Sequence, residues 1–177
     1  GVRVSGTVFH GDGITPIDGD PLIGVALIRD MPCVSQADDF GGPISTDGTF
    51  SSLVEPGTYY VKVSGQNYID EFWASPVSVY SCTDAQMITV EEDTPLTGVD
   101  FQLSAGNVIS GTVYASEGTD PVKNQSYLGV EITTQNPCAI DYETSAEFFT
   151  FVDTSFGTWS VHVPDGTYFI LLNTGGH

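Results

Sequence analysis

Basic residues are scarce: four Lys and Arg stand against 23 Asp and Glu, a formal net charge of -19. A chain with so few cations cannot neutralise phosphates, which excludes nucleic acid as a partner. Anionic lipid and sulfated or uronic-acid polysaccharides are repelled for the same reason. The acidic residues are dispersed rather than blocked, the pattern of a solvated surface suited to a medium rich in salt or divalent cations. A run of about 18 apolar residues, which a membrane-spanning helix needs, does not occur. Residue 1 opens straight into a strand-like pattern with no basic and apolar leader, so an exported form is expected to have lost its signal already. Only three cysteines are present, none in a Cys-x-x-Cys spacing, which excludes zinc-ribbon and dithiol redox motifs. The three histidines, His10, His162 and His177, are not placed for a Cys-His or Ser-His-Asp arrangement. Nucleophile-elbow, His-Glu-x-x-His and phosphate-loop motifs are missing as well. The chain reads as non-enzymatic.

What is present is an internal repeat, the first thing to seek in a sequence. "VSGTVF" at 4–9 returns as "ISGTVY" at 109–114, and "GVALIRDMPC" at 24–33 returns as "GVEITTQNPC" at 129–138, both displaced by 105. Four further residues then enter, so that "DGTFSSLVEPGTYYVKV" (47–63) matches "FGTWSVHVPDGTYFILL" (156–172) at a displacement of 109. Within each copy apolar residues alternate with polar ones, as in Val2, Val4 and Val8, or Tyr59, Val61 and Val63. That is the period of a half-buried strand. Gly, Pro and Asp clusters such as "HGDGITPIDGDP" and "EEDTP" separate the runs, and no window carries a helical period. The expected fold is all-β: two tandem antiparallel β-sandwiches, residues 1–104 and 105–177.

The glycine, proline and apolar pattern resembles a known family. Val4-Ser-Gly-Thr-Val8, Pro21-Leu-Ile-Gly-Val25, Thr46-Asp-Gly-Thr-Phe50 and Pro56-Gly-Thr-Tyr59 are similar to the carboxypeptidase regulatory-like domain, a prealbumin-like (Ig-like) sandwich related to collagen-adhesin B-type repeats. "TGVDFQLSAGNVISGTV" resembles the junction between tandem copies in long secreted proteins. The resemblance implies a non-catalytic spacer, accessory or surface module; fold alone does not fix function.

The second copy has nothing matching residues 71–103 of the first, the segment expected to supply the last strands of the sandwich. Its apolar face and strand edges are therefore expected to be open. Two explanations stand: the sequence belongs to a longer repeat protein, or a neighbouring copy supplies the strands by β-augmentation. The pairing edge in the second case is Gly166, Thr167, Tyr168, Phe169, Ile170, Leu171 and Leu172. A head-to-tail contact of that kind that does not close builds a filament. The partners are then copies of the chain itself or neighbouring repeats.

The cysteines point the same way. Cys33 and Cys82 both fall in the first copy; a disulfide between them would close a loop of about fifty residues and contribute roughly 3–4 kcal/mol. It would imply an oxidising, extracellular or cell-surface location. Cys138 is the counterpart of Cys33, and its own partner would lie in the unmatched segment, which makes it an unpaired or intermolecular thiol.

Several ligand readings follow. Asp12, Asp18 and Asp20 share one loop and offer the hard oxygen donors that calcium prefers, though not in EF-hand spacing. The equivalent positions Glu117, Lys123 and Gln125 do not repeat the cluster. Asp38 with Asp39, and Asp141 with Glu143, are candidates to bridge subunits through an ion. An internal Lys–Asn isopeptide bond is disfavoured, because Lys62 is the only lysine of the first copy and lies mid-sandwich. Tyr68, Phe72, Trp73 and Tyr80 cluster in one stretch and could stack on a neutral glycan, or pack into the core. Asn124-Gln-Ser126 is a glycosylation sequon on a turn. An accessory module of a secreted hydrolase is the alternative in that class.

Overall fold

A computed structural model describes residues 1–18, 22–29, 40–116, 118–123, 128–138 and 147–174. The described chain is all-β, built of antiparallel sheets and one parallel strand pair. Among the described residues no helix is long and apolar enough to cross a membrane. Two compact units separate, Gly1–Ala105 and Gly106–His177.

Unit 1 holds β1 (Val2–His10), β2 (Gly24–Ile28), β3 (Phe40–Pro43), β4 (Thr49–Val54), β5 (Gly57–Ser64), β6 (Glu71–Phe72), β7 (Ile88–Val90) and β8 (Phe101–Leu103). One sheet runs β4-β1-β8, with β1 antiparallel to β4 and parallel to β8. The other runs β3-β2-β5, and the far edge of β5 is shared by β7 along Gly57–Tyr59 and β6 along Lys62–Val63. The alternation read from the sequence becomes burial: Val4, Val8, Tyr59, Val61 and Val63 are all 0% exposed. Val99, Phe101 and Leu103 join them in one core. Each fully covered aliphatic of this kind contributes about 1.5–3 kcal/mol, an upper bound because the unfolded chain is itself partly collapsed.

Unit 2 holds β9 (Asn107–Thr112), β10 (Gly129–Thr133), β11 (Phe148–Phe151), β12 (Thr158–Val163) and β13 (Phe169–Asn173). The order β12-β9 repeats β4-β1, and β11-β10-β13 repeats β3-β2-β5. The turns repeat too. His10 N–H donates to Thr15 O, Ile17 N–H to Val8 O and Val8 N–H to Gly48 O; Ala115 to Asp120, Val122 to Val113 and Val113 to Gly157 make the same bonds. Gly48 and Gly157 carry that last contact at φ of 78° and 71°, a region open to glycine at little cost. A Cβ on either would lie 2.9 Å from a backbone oxygen, of Ile17 or Val122. Tyr59 Oη donates to Glu55 O at 2.7 Å and Tyr168 Oη to Pro164 O at 2.9 Å, each reaching back four residues to pin its turn, in the manner of a tyrosine corner.

Among the described residues of unit 2 nothing corresponds to β6, β7 or β8. Its core is correspondingly small: Leu128, Val130, Ile132, Val152 and Val163, with Trp159, Val161 and Tyr168 partly buried against them.

Candidate strand-pairing site

The functional candidate is the open face of unit 2, and unit 1 shows how such a face is closed. Residues 96–103 run along β1: Leu96 N–H donates to Arg3 O at 2.9 Å, Ser5 N–H to Leu96 O at 2.9 Å, and Val99 N–H to Ser5 O at 3.2 Å. The Asp100 carboxylate accepts Thr7 N–H at 2.8 Å. Phe101 then packs against Phe50, ring centroids 6.5 Å apart. Gly6 permits the approach, since a Cβ there would lie 2.0 Å from Val99 O and 3.0 Å from the Phe50 ring.

Glu71 fastens the far end of this closing segment. Its carboxylate accepts Ser104 N–H at 3.0 Å and the Ser78 hydroxyl. Ser78 Oγ in turn accepts Gln102 N–H at 3.2 Å. Glu71 is 2% exposed, and burial pushes its carboxyl above the ordinary range, partly offset by the Ser78 and Ser104 hydrogen bonds.

In unit 2 the same registers leave the corresponding groups without a covering strand among the described residues. Val130 faces Leu172 and Ile132 faces Ile170 across β10 and β13, and paired residues share a face. Val130 and Ile132 are 1% and 0% exposed, yet Leu172 and Ile170 are 49% and 52% exposed. Their counterparts Val63 and Val61 are fully buried. Covering this aliphatic pair would be worth about 2 kcal/mol. On the other sheet Ser110 faces Ser160 as Ser5 faces Ser51, so the backbone groups of Val108 and Ser110 that match Arg3 O and Ser5 N–H and C=O turn toward the open edge. Trp159 takes the place of Phe50 and lies 3.0 Å from where a Gly111 Cβ would stand.

The expected pairing edge, Gly166 to Leu172, divides. Only Phe169 onward is strand, and among the described residues β13 pairs with β10 alone. Gly166, Thr167 and Tyr168 form the turn into it. Burial, then the charges of Glu147 and Asp165, raise the Tyr168 hydroxyl above its ordinary pKa. The edge of β9 carries no sequence signal: the parallel pairing of β1 with β8 in unit 1 joins distant segments that alternation alone does not connect.

Other sequence candidates fall apart from this face. Asp12 spends its carboxylate on its own loop, accepting Thr15 N–H, Ile14 N–H and the Thr15 hydroxyl at 2.7–2.9 Å; these bonds, Thr15 N–H foremost, lower its pKa to about 2. Asp18 is exposed, and Asp20 lies outside the described residues. Among the described residues no group of three His, Cys, Asp or Glu could hold a metal ion. Cys33, Asn124, Asp38, Asp39, Asp141 and Glu143 also lie outside the described residues. Cys82 opens a short 3-10 helix, Cys82–Asp84, and Cys138 is a free, exposed thiol. Of the aromatic cluster, Phe72 is buried, and Tyr68 and Trp73 pack partly against the unit 1 core; Tyr80 is 40% exposed. Lys62 pairs with Asp70 at 2.7 Å. A different aromatic pair stands out on unit 2: Phe149 and Phe151, edge to face at 4.8 Å on the outer side of β11.

No family model and no curated protein matches the chain. Solved structures resemble it loosely. A streptococcal ancillary pilin overlaps 97% of this chain and 53% of its own, at 9% identity and a TM-score of 0.38. A DUF3823 family protein from Bacteroides ovatus overlaps 98% and 92%, at 15% identity and 0.40. A type II cohesin–X-dockerin complex from Acetivibrio cellulolyticus overlaps 56% and 53%, at 22% identity and 0.32. The chain spans about half the length of the pilin and cohesin-complex chains.

Proposed function

We propose that the chain is a non-enzymatic, extracellular structural module of the prealbumin-like, carboxypeptidase regulatory-like type, working in a surface filament, array or large adhesin. It associates with copies of itself or with neighbouring repeats by accepting a β-strand on unit 2. The observation that carries this reading is the half exposure of Ile170 and Leu172 beside register partners that are fully buried. An apolar inner face left open in this way is a template for another chain. The acidic surface keeps unpaired molecules apart, and a Cys33–Cys82 disulfide, an intermolecular bond through Cys138 and calcium at Asp12, Asp18 and Asp20 belong to the same proposal as reinforcement. Sedimentation velocity over a hundredfold concentration range, without reductant, tests it. Concentration-dependent association, lost in Ile170→Asp, is expected; a monodisperse, fully folded monomer throughout would contradict it.

A second reading has its own observation. Phe149 and Phe151 are 46% and 68% exposed, and beside them Asn173 Nδ2 donates to Glu131 Oε1 at 2.7 Å. Stacking rings next to amide and carboxylate groups suit a neutral glycan. Calorimetry across a neutral glycan panel would show binding that Phe151→Ala removes; silence across the panel would dispose of this reading.

A further inference from the structure

We infer that the edge of β11 pairs antiparallel with the same edge of a second copy of this chain, around a two-fold axis at Thr150. The contact is separate from strand acceptance and does not rest on it, since β11 and β13 flank β10 on opposite sides. The equivalent edge in unit 1 is β3. There residues 65–103 pair with β5 and β1, and among the described residues β3 stays at the margin of its sheet. The β11 edge is therefore one that a unit with all its strands leaves open.

Backbone and sequence specify the pairing. Val152 N–H donates to Leu128 O at 3.0 Å, and antiparallel strands bond at every second facing pair. Val130 with Thr150 is thus the next bonded pair, so the N–H and C=O groups of Phe149 and Phe151 turn away from β10. In unit 1 the position of Phe151 is held by Pro43, which has no N–H to offer and guards its edge. β11 has no such guard: residues 148–152 read Phe-Phe-Thr-Phe-Val, uncharged in a chain of net charge -19. A two-fold register centred on Thr150 engages every outward group and sets Phe149 opposite Phe151 of the second copy. Registers centred on Phe149 or Phe151 would call on Glu147 N–H or Asp153 N–H, which already donate to Ile132 O and Thr158 O. Phe149 lies over Gly129, where a Cβ would stand 2.5 Å from its ring, and meets Phe151 edge to face at 4.8 Å. The two rings are 46% and 68% exposed and would be covered by their mates across the axis. Both copies together supply roughly 400 Å² of ring surface, below the ~1,200 Å² of a stable interface, so the contact is weak in dilute solution. Glu147 falls opposite Asp153 at either end, and salt should strengthen the pairing by screening them.

The test uses the whole chain carrying Cys138→Ser and Ile170→Asp, so that neither the free thiol nor strand acceptance takes part. Amide NMR spectra are compared from micromolar to millimolar protein, above the range in which strand acceptance is read. Concentration-dependent shifts at Phe149 and Phe151, growing with salt, are expected. Adding Thr150→Cys should give a disulfide dimer on mild oxidation, because facing residues of a non-bonded pair stand ~4.5 Å apart at Cα, within disulfide reach. Phe151→Pro, which copies Pro43, should abolish both signals. Phe151→Lys keeps the backbone donor at an exposed position, so its folding is not in question, and should weaken association at least tenfold. Association undiminished by either variant would place the contact elsewhere and overturn the inference. Spectra independent of concentration, with no disulfide dimer at millimolar protein, would overturn it while leaving strand acceptance intact. A chain that stays monomeric and binds neutral glycan through these rings would overturn it in favour of the glycan reading.

Discussion

Tyr59, Val61 and Val63 in unit 1 and Tyr168, Ile170 and Leu172 in unit 2 occupy matching positions of the repeat, each set opened by Gly-Thr-Tyr. The first three are fully buried; of the second three, Tyr168 is partly covered and the two aliphatics are about half exposed. Alternation decides which way a side chain faces, and a third partner decides whether anything covers it. In unit 1 β6 and β7 pair the far edge of β5, and Ile88, Val90, Val99, Phe101 and Leu103 share its core, the last stretch fastened by Glu71. Unit 2 keeps the acceptor side of the arrangement, the glycine, the serine amide and the large ring of Trp159, with no donor among its described residues.

The largest contrast should come from removing the closing strand's anchor. Phe101→Ala is expected to cost unit 1 about 3–5 kcal/mol, whereas Ile170→Ala should cost unit 2 about 1 kcal/mol or less, since half of that side chain is already in water. Denaturant unfolding followed at Trp73 and Trp159, one indole per unit, reads the two separately; equal losses would break the contrast. A smaller effect should be shared: Gly48→Ala and Gly157→Ala each force a side chain into positive φ against a carbonyl, for about 1–3 kcal/mol in both units. Tyr59→Phe and Tyr168→Phe come next. Tyr59 Oη loses both Glu55 O and the Arg29 guanidinium at 2.8 Å, and should cost about 1–3 kcal/mol. Tyr168, with the Pro164 bond on a wetter side chain, should cost about 1 kcal/mol.

The smallest effect is in pH dependence between acid and neutral pH, and it falls in unit 1. Because burial raises the Glu71 carboxyl, the folded state favours its protonated form. Its contribution is most favourable below the ordinary carboxylate pKa and declines as pH rises through the raised value. Asp12 and Asp47 act in the opposite sense. Held low by hydrogen bonds, from Thr15 N–H foremost on Asp12 and from the Thr49 hydroxyl foremost on Asp47, they favour the fold above the ordinary carboxylate pKa and lose that contribution on acidification. Glu71→Gln should therefore remove a decline between acid and neutral pH from the unit 1 stability profile and leave the unit 2 profile unchanged. A profile unaltered in unit 1 would show that the carboxylate is better solvated than its burial implies.

Much of this was legible in the residues. The displacements of 105 and 109 marked the repeated strands and turns, and the unmatched 71–103 marked where the second copy would be open. The edge of β9 was not legible, because a parallel pairing between the first and last strands of a unit leaves no local signature. The role of Glu71 was hidden for a related reason: its partners Ser78 and Ser104 are 7 and 33 residues away. The short turn that brings the Ile14 and Thr15 amides onto Asp12 Oδ1 was equally hidden in the composition of its loop. The aromatic run around Trp73 offered sugar stacking and core packing equally, and the hairpin of β5 and β6 turns most of it inward.

Amide hydrogen exchange at low protein concentration, comparing Ser5 with Ser110, addresses the open cleft directly. Ser5 N–H is bonded to Leu96 O and should be strongly protected. Ser110 N–H should exchange faster by orders of magnitude while the Val130 and Ile132 amides in the centre of β10 stay protected, which shows that unit 2 is folded. Equal protection at Ser5 and Ser110 in the dilute monomer would mean that the β9 edge is already covered and that unit 2 has no vacancy to fill.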